Sequence, residues 1–484
     1  MKILIVSPNR TAFVHRVAPI GPLYLVSVLE QRGHAVKLVD CMFLADPFKT
    51  VEAATLEFKP NLIGLAVRNI DTLLAKDVYL MPEFERYIDI LRRSSPAPIV
   101  AGGPGFSLMP DEMMRAFELD YGIAGEADSA LPELAACLEN RKPCNAIPGL
   151  LYREGGGLKI NPPQKVPDLD TIPFQAVSHI DTAAYARLRG NLAVFTRKAC
   201  PFNCIYCPEA ALHGNKVRLR SARRVVDELE YIVKTTGVVD FDFADTTFNV
   251  PRAHAVAVCE EIIRRNLKIR FEVELSPPDQ DDETVRLLKA AGCIGVDLTA
   301  ESGNDRMLDT LGRGFTADLT RKVGELYRRH KIPYTVGFLL GGPGENLQSV
   351  NDSICLAKSL PAMTSAYFTV GIRVFKNTVL AQIAEKEGVI KSTEELLKPV
   401  FYLGRDFDAT CASRLLSACN RSLRLYISDL FFAPMMLKFF GTADKRNIRP
   451  IWRYGTMPRI FEWVMRQGRP MLKWDEAKRC YVVC

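Results

Sequence analysis

The sequence predicts an α/β protein in three parts: an N-terminal Rossmann-like domain with a parallel sheet, a partial (β/α)6 barrel and a mostly helical C-terminal region. Short apolar runs alternate with helical patterns over residues 1–140 and again over residues 191–375. Strands that alternate with helices form parallel sheets. The length of 484 residues supports the division, because it exceeds one ordinary domain and suffices for several cores.

The first part, residues 1–140, contains strand-like runs separated by helical patterns. The runs read KILIVS, HAVKLVD, NLIGLAV, PIVAGG and YGIAGE. A doubly wound sheet binds its ligands beyond the carboxyl ends of its strands. Gly102 and Gly103 lie at that edge and would let a bulky ligand approach the backbone closely. A simple glycine turn is the alternative, and the G-x-G-x-x-G fingerprint of a nicotinamide cofactor is absent after the first strand.

Residues 141–190 are rich in proline, glycine and polar residues, which predicts a linker with a small hairpin. Residues 191–375 then contain six strand–helix pairs, which predict a partial or full (β/α) barrel with its chemistry at the carboxyl ends of the strands. Residues 376–484 are expected to be mostly helical and less regular. The barrel strands read NLAVFTR, DFDFAD, KIRFEVEL, GVDLTAES, PYTVGFLL and TSAYFTVGIRVF.

Three cysteines, Cys200, Cys204 and Cys207, lie within eight residues directly after the first barrel strand. A tight cysteine cluster without a disulfide framework points to metal binding or catalysis. A structural zinc site needs four ligands, but the sequence nearby offers only His213, six residues beyond the last cysteine. Three cysteines suit a [4Fe–4S] cluster that keeps one iron open. The open cluster is the interpretation we favour, with structural zinc as the alternative.

The spacing C-x3-C-x2-C with an aromatic residue before the last cysteine, CPFNCIYC, resembles the signature of radical S-adenosylmethionine (SAM) enzymes. Three later segments resemble motifs of the same family: DFADTTF, LTAESGNDRMLDTLGRG and VGFLLGGPGEN, the last of which includes Gly341 as a candidate cofactor-binding residue. The front domain resembles the cobalamin-binding domain that precedes the barrel in one large subclass, through APIGPLYLVSVLEQRGHAVKLVD and the AGG that ends its fourth strand. The resemblance covers roughly residues 1–375.

This resemblance implies that Cys200, Cys204 and Cys207 bind three irons of the cluster and that the fourth iron chelates the amino and carboxylate groups of SAM. In this family one electron from the cluster cleaves SAM to a 5′-deoxyadenosyl radical, which takes a hydrogen atom from an unactivated carbon. The protein positions the target carbon and excludes water. An electron donor such as flavodoxin or ferredoxin is therefore an expected partner.

The resemblance also assigns side chains around SAM. Tyr206 matches the aromatic position beside the adenine, and Asp245 is a candidate for the amino group. Glu301 and Ser302 match the position that meets the ribose or methionine end, and Arg313 would pair with the carboxylate. The alternatives are that Asp245 caps the next helix and that Arg313 is merely solvated.

The expected cobalamin would lack a common ligand. The D-x-H-x-x-G motif, whose histidine supplies the lower ligand of cobalt in many cobalamin proteins, is missing, as it is from many members of the subclass. The loop that lies under the corrin in the family reads LAVRNID. Its Arg68 cannot ligate cobalt and would keep the lower face free, which favours methyl transfer from methylcobalamin. The alternative places Arg68 in solvent or in an ion pair with Asp71.

Three functions compete. The leading one is a cobalamin-dependent radical SAM enzyme that methylates an unactivated carbon of a small-molecule or lipid-like intermediate. The second uses the same cofactors for cyclisation, rearrangement or elimination. The third is a non-catalytic cobalamin-binding sensor, in which an open cluster would have no use. A tRNA methylthiotransferase would need three more cluster cysteines in the front domain, where only Cys41 and Cys137 occur, far apart.

The N-terminus reads as a strand rather than a signal peptide, and no uncharged apolar stretch approaches the ~18 residues that span a bilayer. A cytoplasmic protein is therefore expected.

Residues 438–484 carry eleven Lys and Arg against four Asp and Glu, and hold Trp452, Trp463 and Trp474. We expect the tail to meet a membrane surface or a large hydrophobic substrate; a C-terminal helix packed on the barrel is the alternative. Nucleic acid is not an expected partner, because no module for it is visible.

Overall fold

The computed structural model describes residues 1–11, 16–73, 79–187, 190–422, 424–428 and 472–483. These residues form two large sheets, as the alternation of apolar runs and helical patterns predicts. Most of the basic tail, including Trp452 and Trp463, lies outside the described residues. The expectations for that segment therefore stay predictions.

The front sheet follows the predicted runs and continues into the linker. Its strand order is β3-β1-β4-β5-β6-β7-β8, in which the first five strands are parallel and the last two form an antiparallel hairpin. The hairpin is the one expected in the linker, but it extends the front sheet. The strands up to this point are β1 (Lys2–Ser7), β2 (Arg16–Val17), β3 (Ala35–Asp40), β4 (Leu62–Ala66), β5 (Ile99–Gly102), β6 (Tyr121–Ile123), β7 (Leu150–Glu154) and β8 (Gly157–Ile160).

Helices cover both faces of this sheet. Ile3 and Ile5 of β1 pack with α1 and α6, whereas Leu4 and Val6 pack with α2 and α3. Successive residues of a strand point to opposite faces, so a sheet covered on both sides needs nearly continuous apolar strands. The helices are α1 (Ile20–Gln31), α2 (Pro47–Phe58), α3 (Met81–Ser94), α4 (Pro104–Leu108), α5 (Pro110–Ala116) and α6 (Ala127–Glu139).

The second sheet contains the six predicted barrel strands in sequence order, all parallel. The strands of this segment are β9 (Gly190–Val194), β10 (Arg197–Lys198), β11 (Arg218–Leu219), β12 (Asp240–Phe243), β13 (Arg270–Leu275), β14 (Cys293–Glu301), β15 (Tyr334–Leu340) and β16 (Ser365–Val370). The short β10 and β11 pair with each other outside this sheet. Its helices are α7 (Thr182–Arg187), α8 (Glu209–His213), α9 (Ala222–Thr236), α10 (Arg252–Arg264), α11 (Asp282–Ala291), α12 (Asp305–Thr310), α13 (Ala317–His330) and α14 (Leu347–Ser359).

Helix α9 shows how the sequence sets the ends of these helices. Ser221 accepts a hydrogen bond from the backbone N–H of Arg224, which satisfies one of the free donors of the first turn. Gly237 ends the helix at a φ of 71°, a left-handed conformation that favours glycine. The apolar residues between these ends face the barrel strands, among them Val225 and Leu229.

The front domain and the barrel are joined by backbone and side-chain contacts. Strand β2 leaves the front domain and pairs with β9 at the edge of the barrel sheet. Nearby, Arg220 donates to Glu228 over 2.6 Å, and Tyr24 donates to the same carboxylate over 2.8 Å. Both charged side chains are fully buried. The junction is thus specified by a buried ion pair with a tyrosine from α1.

The described part of residues 376–484 is less helical than expected. It contains β18 (Phe401–Tyr402), β19 (Leu425–Ile427), β20 (Leu472–Asp475) and β21 (Cys480–Val483) besides α15 (Val379–Lys386) and α16 (Ala409–Asn420), and β17 (Ile372–Arg373) precedes them. Strand β19 joins the barrel sheet beside β16. The barrel sheet therefore extends beyond the expected boundary at residue 375, because β19 satisfies the free edge of β16.

Trp474 belongs to the β20–β21 hairpin and packs on protein. Its ring lies 5.8 Å from that of Phe407 and 5.2 Å from that of Tyr481. The Tyr481 hydroxyl donates to the Ala412 carbonyl of α16 over 2.6 Å.

Among the described helices, none combines the length and the apolar character that a bilayer crossing requires.

Candidate active site

The cysteine loop begins where β9 ends and runs into α8, so it lies at the carboxyl edge of the barrel sheet. Cys200 is buried, Cys204 and Cys207 are half-buried, and all three are free thiols. Burial raises the pKa of the Cys207 thiol to about 12. Within the described residues, no three or more His, Cys, Asp or Glu side chains converge on a site for a single metal ion.

Arg197 braces this loop, a role that the sequence analysis missed. Its guanidinium donates to the Thr247 carbonyl from Nε over 3.0 Å and from Nη2 over 2.7 Å, and from Nη1 to the Ala199 carbonyl. Ala199 has a positive φ of 76° directly before Cys200. The signal was available, because Arg197 precedes the cysteines by three residues at the end of a buried strand.

Arg313 contacts a cysteine sulfur. Its Nη1 donates to Cys204 Sγ over 2.9 Å, and its Nη2 donates to the hydroxyls of Ser276 and Thr299 over 3.2 Å each. Burial alone would lower the pKa of Arg313, but the neighbouring Glu301, Tyr206 and Cys204 raise it overall. Arg313 is buried, so the alternative of a merely solvated side chain is wrong.

Tyr206 and Glu301 join the cysteine loop to the end of β14. The Tyr206 hydroxyl donates to Glu301 Oε1 over 2.9 Å. Burial and the adjacent Glu301 carboxylate hold the pKa of Tyr206 well above its usual range. Glu301 has a φ of 63°, and the pairing of β14 with β15 shifts register between Thr299 and Glu301. Such local strain at the carboxyl end of a barrel strand is typical of functional sites.

Asp245 follows β12 and fastens the neighbouring strand. It accepts hydrogen bonds from Thr196 N over 2.9 Å, Thr196 Oγ1 over 2.6 Å and Arg197 N over 3.2 Å. Burial raises the pKa of Asp245, and these donors oppose the rise. The next helix, α10, has Pro251 at its N-cap, so the alternative that Asp245 caps it is wrong. Its expected contact with an amino group stays a prediction.

The structure gives Ser302 and Gly341 packing roles. Ser302 is fully buried, and its hydroxyl shares a hydrogen bond with Ser353 and accepts one from Asn304 N. Gly341 has a φ of 93°, and a Cβ at this position would lie 2.4 Å from Leu403 Cδ1. Glycine is therefore required here by the neighbouring chain, and neither residue lines the cavity described below.

Gly102 and Gly103 lie at the carboxyl edge of the front sheet, as expected. The structure gives Gly103 a packing reason, and the expected approach of a ligand stays a prediction. A Cβ on Gly103 would lie 2.7 Å from the Val67 carbonyl oxygen, and Gly105 N donates to that oxygen over 2.9 Å. The close approach that requires glycine is thus between the loops after β4 and β5. This approach brings the backbone of Arg68 to the same edge.

Arg68 projects into a cavity. Arg68 is an exposed residue that lines this cavity, and its side chain has no hydrogen bond or ion pair among the described residues. Asp71 instead binds Arg373, so the alternative of an Arg68–Asp71 pair is wrong. Because Arg68 is exposed, the alternative that it faces solvent stays a prediction.

One cavity of about 380 Å³ connects the two domains. From the front domain it is lined by Arg68, Gly102 and Gly103, and from the barrel by Ala199, Glu209 and Asp245, among others. This volume is in the range of small-molecule sites. The cavity therefore reaches both the glycine edge and the residues that flank the cysteine loop. Tyr206, Glu301 and Arg313 form a second group around Cys204 that does not line it.

A charged wall closes one side of the cavity. Arg218 donates to Glu126 Oε2 over 3.0 Å, and Lys198 lies 3.3 Å from Asp128. The neighbouring His213 also lines the cavity, and burial together with the nearby Lys198 lowers its pKa to about 4. This histidine is therefore neutral at pH 7, which sequence spacing alone did not reveal.

Two known families match consecutive parts of the chain. Residues 7–135 match the B12 binding domain, and residues 195–356 match the Radical SAM superfamily. The first match ends within α6. The second begins just before the cysteine loop and ends within α14.

Relatives extend the likeness over nearly the whole chain. The tryptophan 2-C-methyltransferase of Streptomyces laurentii is 28% identical over 93% of this chain and 86% of its own length. An uncharacterized methyltransferase of Pyrococcus horikoshii is 26% identical over 94% of this chain and 98% of its own. A solved structure is also similar: the radical SAM methyltransferase TsrM from Kitasatospora setae with cobalamin and a [4Fe–4S] cluster bound. The match covers 97% of this chain and 99% of the TsrM chain. Its TM-score is 0.82 at 24% identity, which shows a common fold.

Proposed function

The chain is a radical SAM protein with an N-terminal B12-binding domain, and we propose that it is a cobalamin-dependent methyltransferase acting on an unactivated carbon of a small molecule. The observation that carries this proposal is the cavity shared by the glycine edge of the front sheet and the surroundings of the cysteine loop. Cobalamin chemistry and SAM cleavage must reach the same substrate atom. The cavity reaches the front sheet and the residues that flank the cysteine loop, which supports a substrate position between the two sites.

Cys200, Cys204 and Cys207 would hold a [4Fe–4S] cluster with one open iron. The donor set fits, because three free thiols lie on one loop braced by Arg197. The Arg313 N–H at Cys204 Sγ would stabilise a ligating thiolate there. When bound, the reduced cluster supplies the electron that cleaves SAM, and cobalamin supplies the methyl group.

The SAM-binding residues would be those grouped around Cys204. Tyr206 and Glu301 form a hydrogen-bonded pair, and Glu301 and Arg313 present one negative and one positive side chain. Opposite charges of this kind suit a ligand with an ammonium, a carboxylate and two ribose hydroxyls. Asp245 is buried at the neighbouring strand end and is expected to meet the SAM amino group. Its carboxylate already accepts hydrogen bonds, for example from Thr196 N, and its remaining lone pairs would accept one from an ammonium.

Cobalamin would lie on the edge formed by Gly102, Gly103 and the loop after β4. The fit rests on the cavity that opens beyond this edge, which is lined by Gly102, Gly103 and Arg68. Arg68 would face the cobalt from below without ligating it, because an arginine carries no donor electron pair at neutral pH. At this place the loop would help to exclude water from the bound cofactor.

The substrate would be a small, largely apolar molecule. Tyr24 and Phe195 supply aromatic surface to the cavity, which suits an apolar part of the substrate. Glu209 adds a carboxylate at the same wall. Tryptophan, on which a relative acts, is the first compound to assay, and lipid-like intermediates are the second class.

An external electron donor such as flavodoxin or ferredoxin would reduce the cluster. The electron would enter over the cysteine loop, whose Pro201 and Asn203 are at the surface.

Peripheral membrane contact of the basic tail is a further proposal, supported by its net charge and by Trp452 and Trp463. The protein-packed Trp474 does not contribute to it.

Anaerobic reconstitution with iron, sulfide and hydroxocobalamin tests the proposal, followed by incubation with SAM, a reductant and tryptophan. We expect bound iron and one bound cobalamin, a methylated product, and both S-adenosylhomocysteine and 5′-deoxyadenosine. Formation of 5′-deoxyadenosine with a changed but unmethylated product would favour cyclisation, rearrangement or elimination. Cobalamin binding without any SAM cleavage would favour the sensor.

A further inference from the structure

The loop that carries Arg68 is fixed by its backbone on one side. Val67 N donates to the Gly102 carbonyl over 2.7 Å, and Gly105 N donates to the Val67 carbonyl over 2.9 Å. These two bonds tie the start of the loop to the end of β5. They do not reach Asp71, where the loop turns toward the barrel.

A buried ion pair fixes the other side. Arg373 Nε donates to Asp71 Oδ2 over 2.7 Å, and the two side chains are only 4% and 1% exposed. Asp71 also accepts a hydrogen bond from Leu73 N over 2.9 Å, so its carboxylate holds the turn of its own loop at the same time. The pair therefore joins the front-domain loop to β17, which directly follows the barrel strand β16.

Arg373 is itself immobilised by its own segment. Its Nη2 donates to the Leu396 carbonyl over 2.8 Å, its Nη1 donates to the Val374 carbonyl, and the Phe375 ring lies 5.0 Å from the guanidinium. Because the planar guanidinium donates hydrogen bonds from Nε, Nη1 and Nη2, it is held in one orientation. Arg373 is thus the fixed partner, and Asp71 is the residue whose place it determines.

Arg68 has no such anchor, since no described residue hydrogen-bonds its side chain. Its position in the cavity is therefore set by the backbone of its loop, and Asp71 lies only three residues further along the chain. We propose that Asp71 and Arg373 are positioning residues that place Arg68 beneath the bound cobalamin, so that the domain junction controls the access of water to the cobalt. This inference rests on the proposed function.

A purely structural role is the rival explanation, and the molecule supplies a matched control. Lys376, three residues beyond Arg373, forms an ion pair with Glu112 of the front domain. Both pairs join the same two parts of the chain. Only the Asp71–Arg373 pair includes a residue of the Arg68 loop. Breaking either pair should loosen the junction in general. Only breaking the Asp71–Arg373 pair should also displace Arg68.

The experiment uses the full-length protein reconstituted with hydroxocobalamin and reduced to the cob(II)alamin form. Electron paramagnetic resonance and visible absorption then distinguish cobalt with and without an axial water. We expect no axial ligand in the wild type and a water ligand in Arg68→Ala. Asp71→Asn removes a charge-assisted hydrogen bond, and we expect the water-bound fraction to rise roughly tenfold. Glu112→Gln should keep the wild-type spectrum.

A double variant, Asp71→Leu with Arg373→Met, keeps the test valid if Asp71→Asn folds poorly. It removes both charges and leaves neither one buried and unpaired. Circular dichroism and the cobalamin stoichiometry identify folded samples. The same water-bound spectrum is expected from this variant.

The outcomes separate the inference from the proposed function. The inference falls if Arg68→Ala gains the water ligand while the Asp71 variants keep the wild-type spectrum. It also falls if Glu112→Gln changes the spectrum as much as Asp71→Asn. A wild type that binds no cobalamin overturns the proposed function itself and the inference with it.

Discussion

The Tyr206 hydroxyl donates a 2.9 Å hydrogen bond to Glu301, which joins two residues separated by 95 positions in the sequence. The contact connects the loop that carries Cys204 and Cys207 to the strained end of β14. The contact thus places the Glu301 carboxylate beside the cysteine loop.

Replacing Tyr206 by Phe should weaken SAM binding about tenfold, because Glu301 loses a hydrogen bond to a charged acceptor that fixes its position. Equilibrium dialysis of SAM with the anaerobically reconstituted protein measures the effect. Tyr367→Phe is the matched control, since Tyr367 donates to Asp297 on the same strand but away from its end. Equal losses in both variants would show that the effect is one of strand stability.

Replacing Cys200, Cys204 and Cys207 together by Ala should abolish both the iron–sulfur absorbance and all cleavage of SAM. The reason is that no other described cysteine lies on this loop to replace a lost thiolate. Iron and sulfide analysis with the visible spectrum provides the measurement, and Cys355→Ala, an exposed cysteine, is the control. A triple variant that retained the absorbance would refute the assignment of the cluster site.

Glu345 should make the protein less stable as the pH rises. This side chain is fully buried and accepts hydrogen bonds from Gly341 N and Ser349 Oγ, and burial raises its pKa to about 7. A folded-state pKa above the unfolded value favours the protonated form. The stabilisation is therefore complete below the ordinary glutamate pKa and is lost as the pH rises through about 7.

The size of this effect follows from linkage and is roughly 3 kcal/mol between the two limits. Urea unfolding at pH 5.5, 7 and 8.5 should show a falling midpoint for the wild type and a flatter profile for Glu345→Gln. Glu385→Gln, at an exposed position of α15, should follow the wild type. A wild-type slope that survives in Glu345→Gln would assign the pH dependence to another group.

The buried pair of Arg220 and Glu228 should respond differently to single and double replacement. Arg220→Met leaves a buried carboxylate without its cation, which costs about 3–5 kcal/mol of unfolding free energy. Arg220→Met with Glu228→Leu removes both charges and should recover most of that loss. Urea unfolding followed by circular dichroism compares the three proteins. Equal destabilisation by the single and double variants would mean that the shape of the pair, and not its charge, is what matters.

The basic tail should bind anionic membranes in a salt-sensitive manner. Each Lys or Arg near an anionic surface contributes ~1 kcal/mol, screened by salt, and residues 438–484 hold eleven of them. Flotation with anionic and neutral liposomes at low and high salt compares the full chain with a chain that ends near residue 429. Full-length protein that never floats would assign the tail to a role within the protein, such as covering the substrate site.

Local patterns in the sequence determined most of the fold. Apolar runs separated by helical patterns located the main strands of both sheets, but not the two-residue strands β2, β10 and β11. The runs are informative because the side-chain periods of strands and helices are properties of a few neighbouring residues. The spacing of Cys200, Cys204 and Cys207 on one short loop also indicated the cluster, since such ligands need no distant partner. The structure places Arg313 beside this loop through its contact with Cys204 Sγ, whereas its expected role toward SAM stays a prediction.

Only the tertiary structure decided which distant residues meet. Arg373 binds Asp71 across 302 positions of the sequence, and this pairing excludes the alternative in which Asp71 pairs with Arg68. Gly103 needs its freedom for the approach of the Val67 carbonyl, and Ser302 and Gly341 serve packing. The physical reason is that a parallel sheet brings the ends of all its strands to one edge, whatever their separation in the chain. The contacts at that edge depend on strand order and register, which no local period encodes.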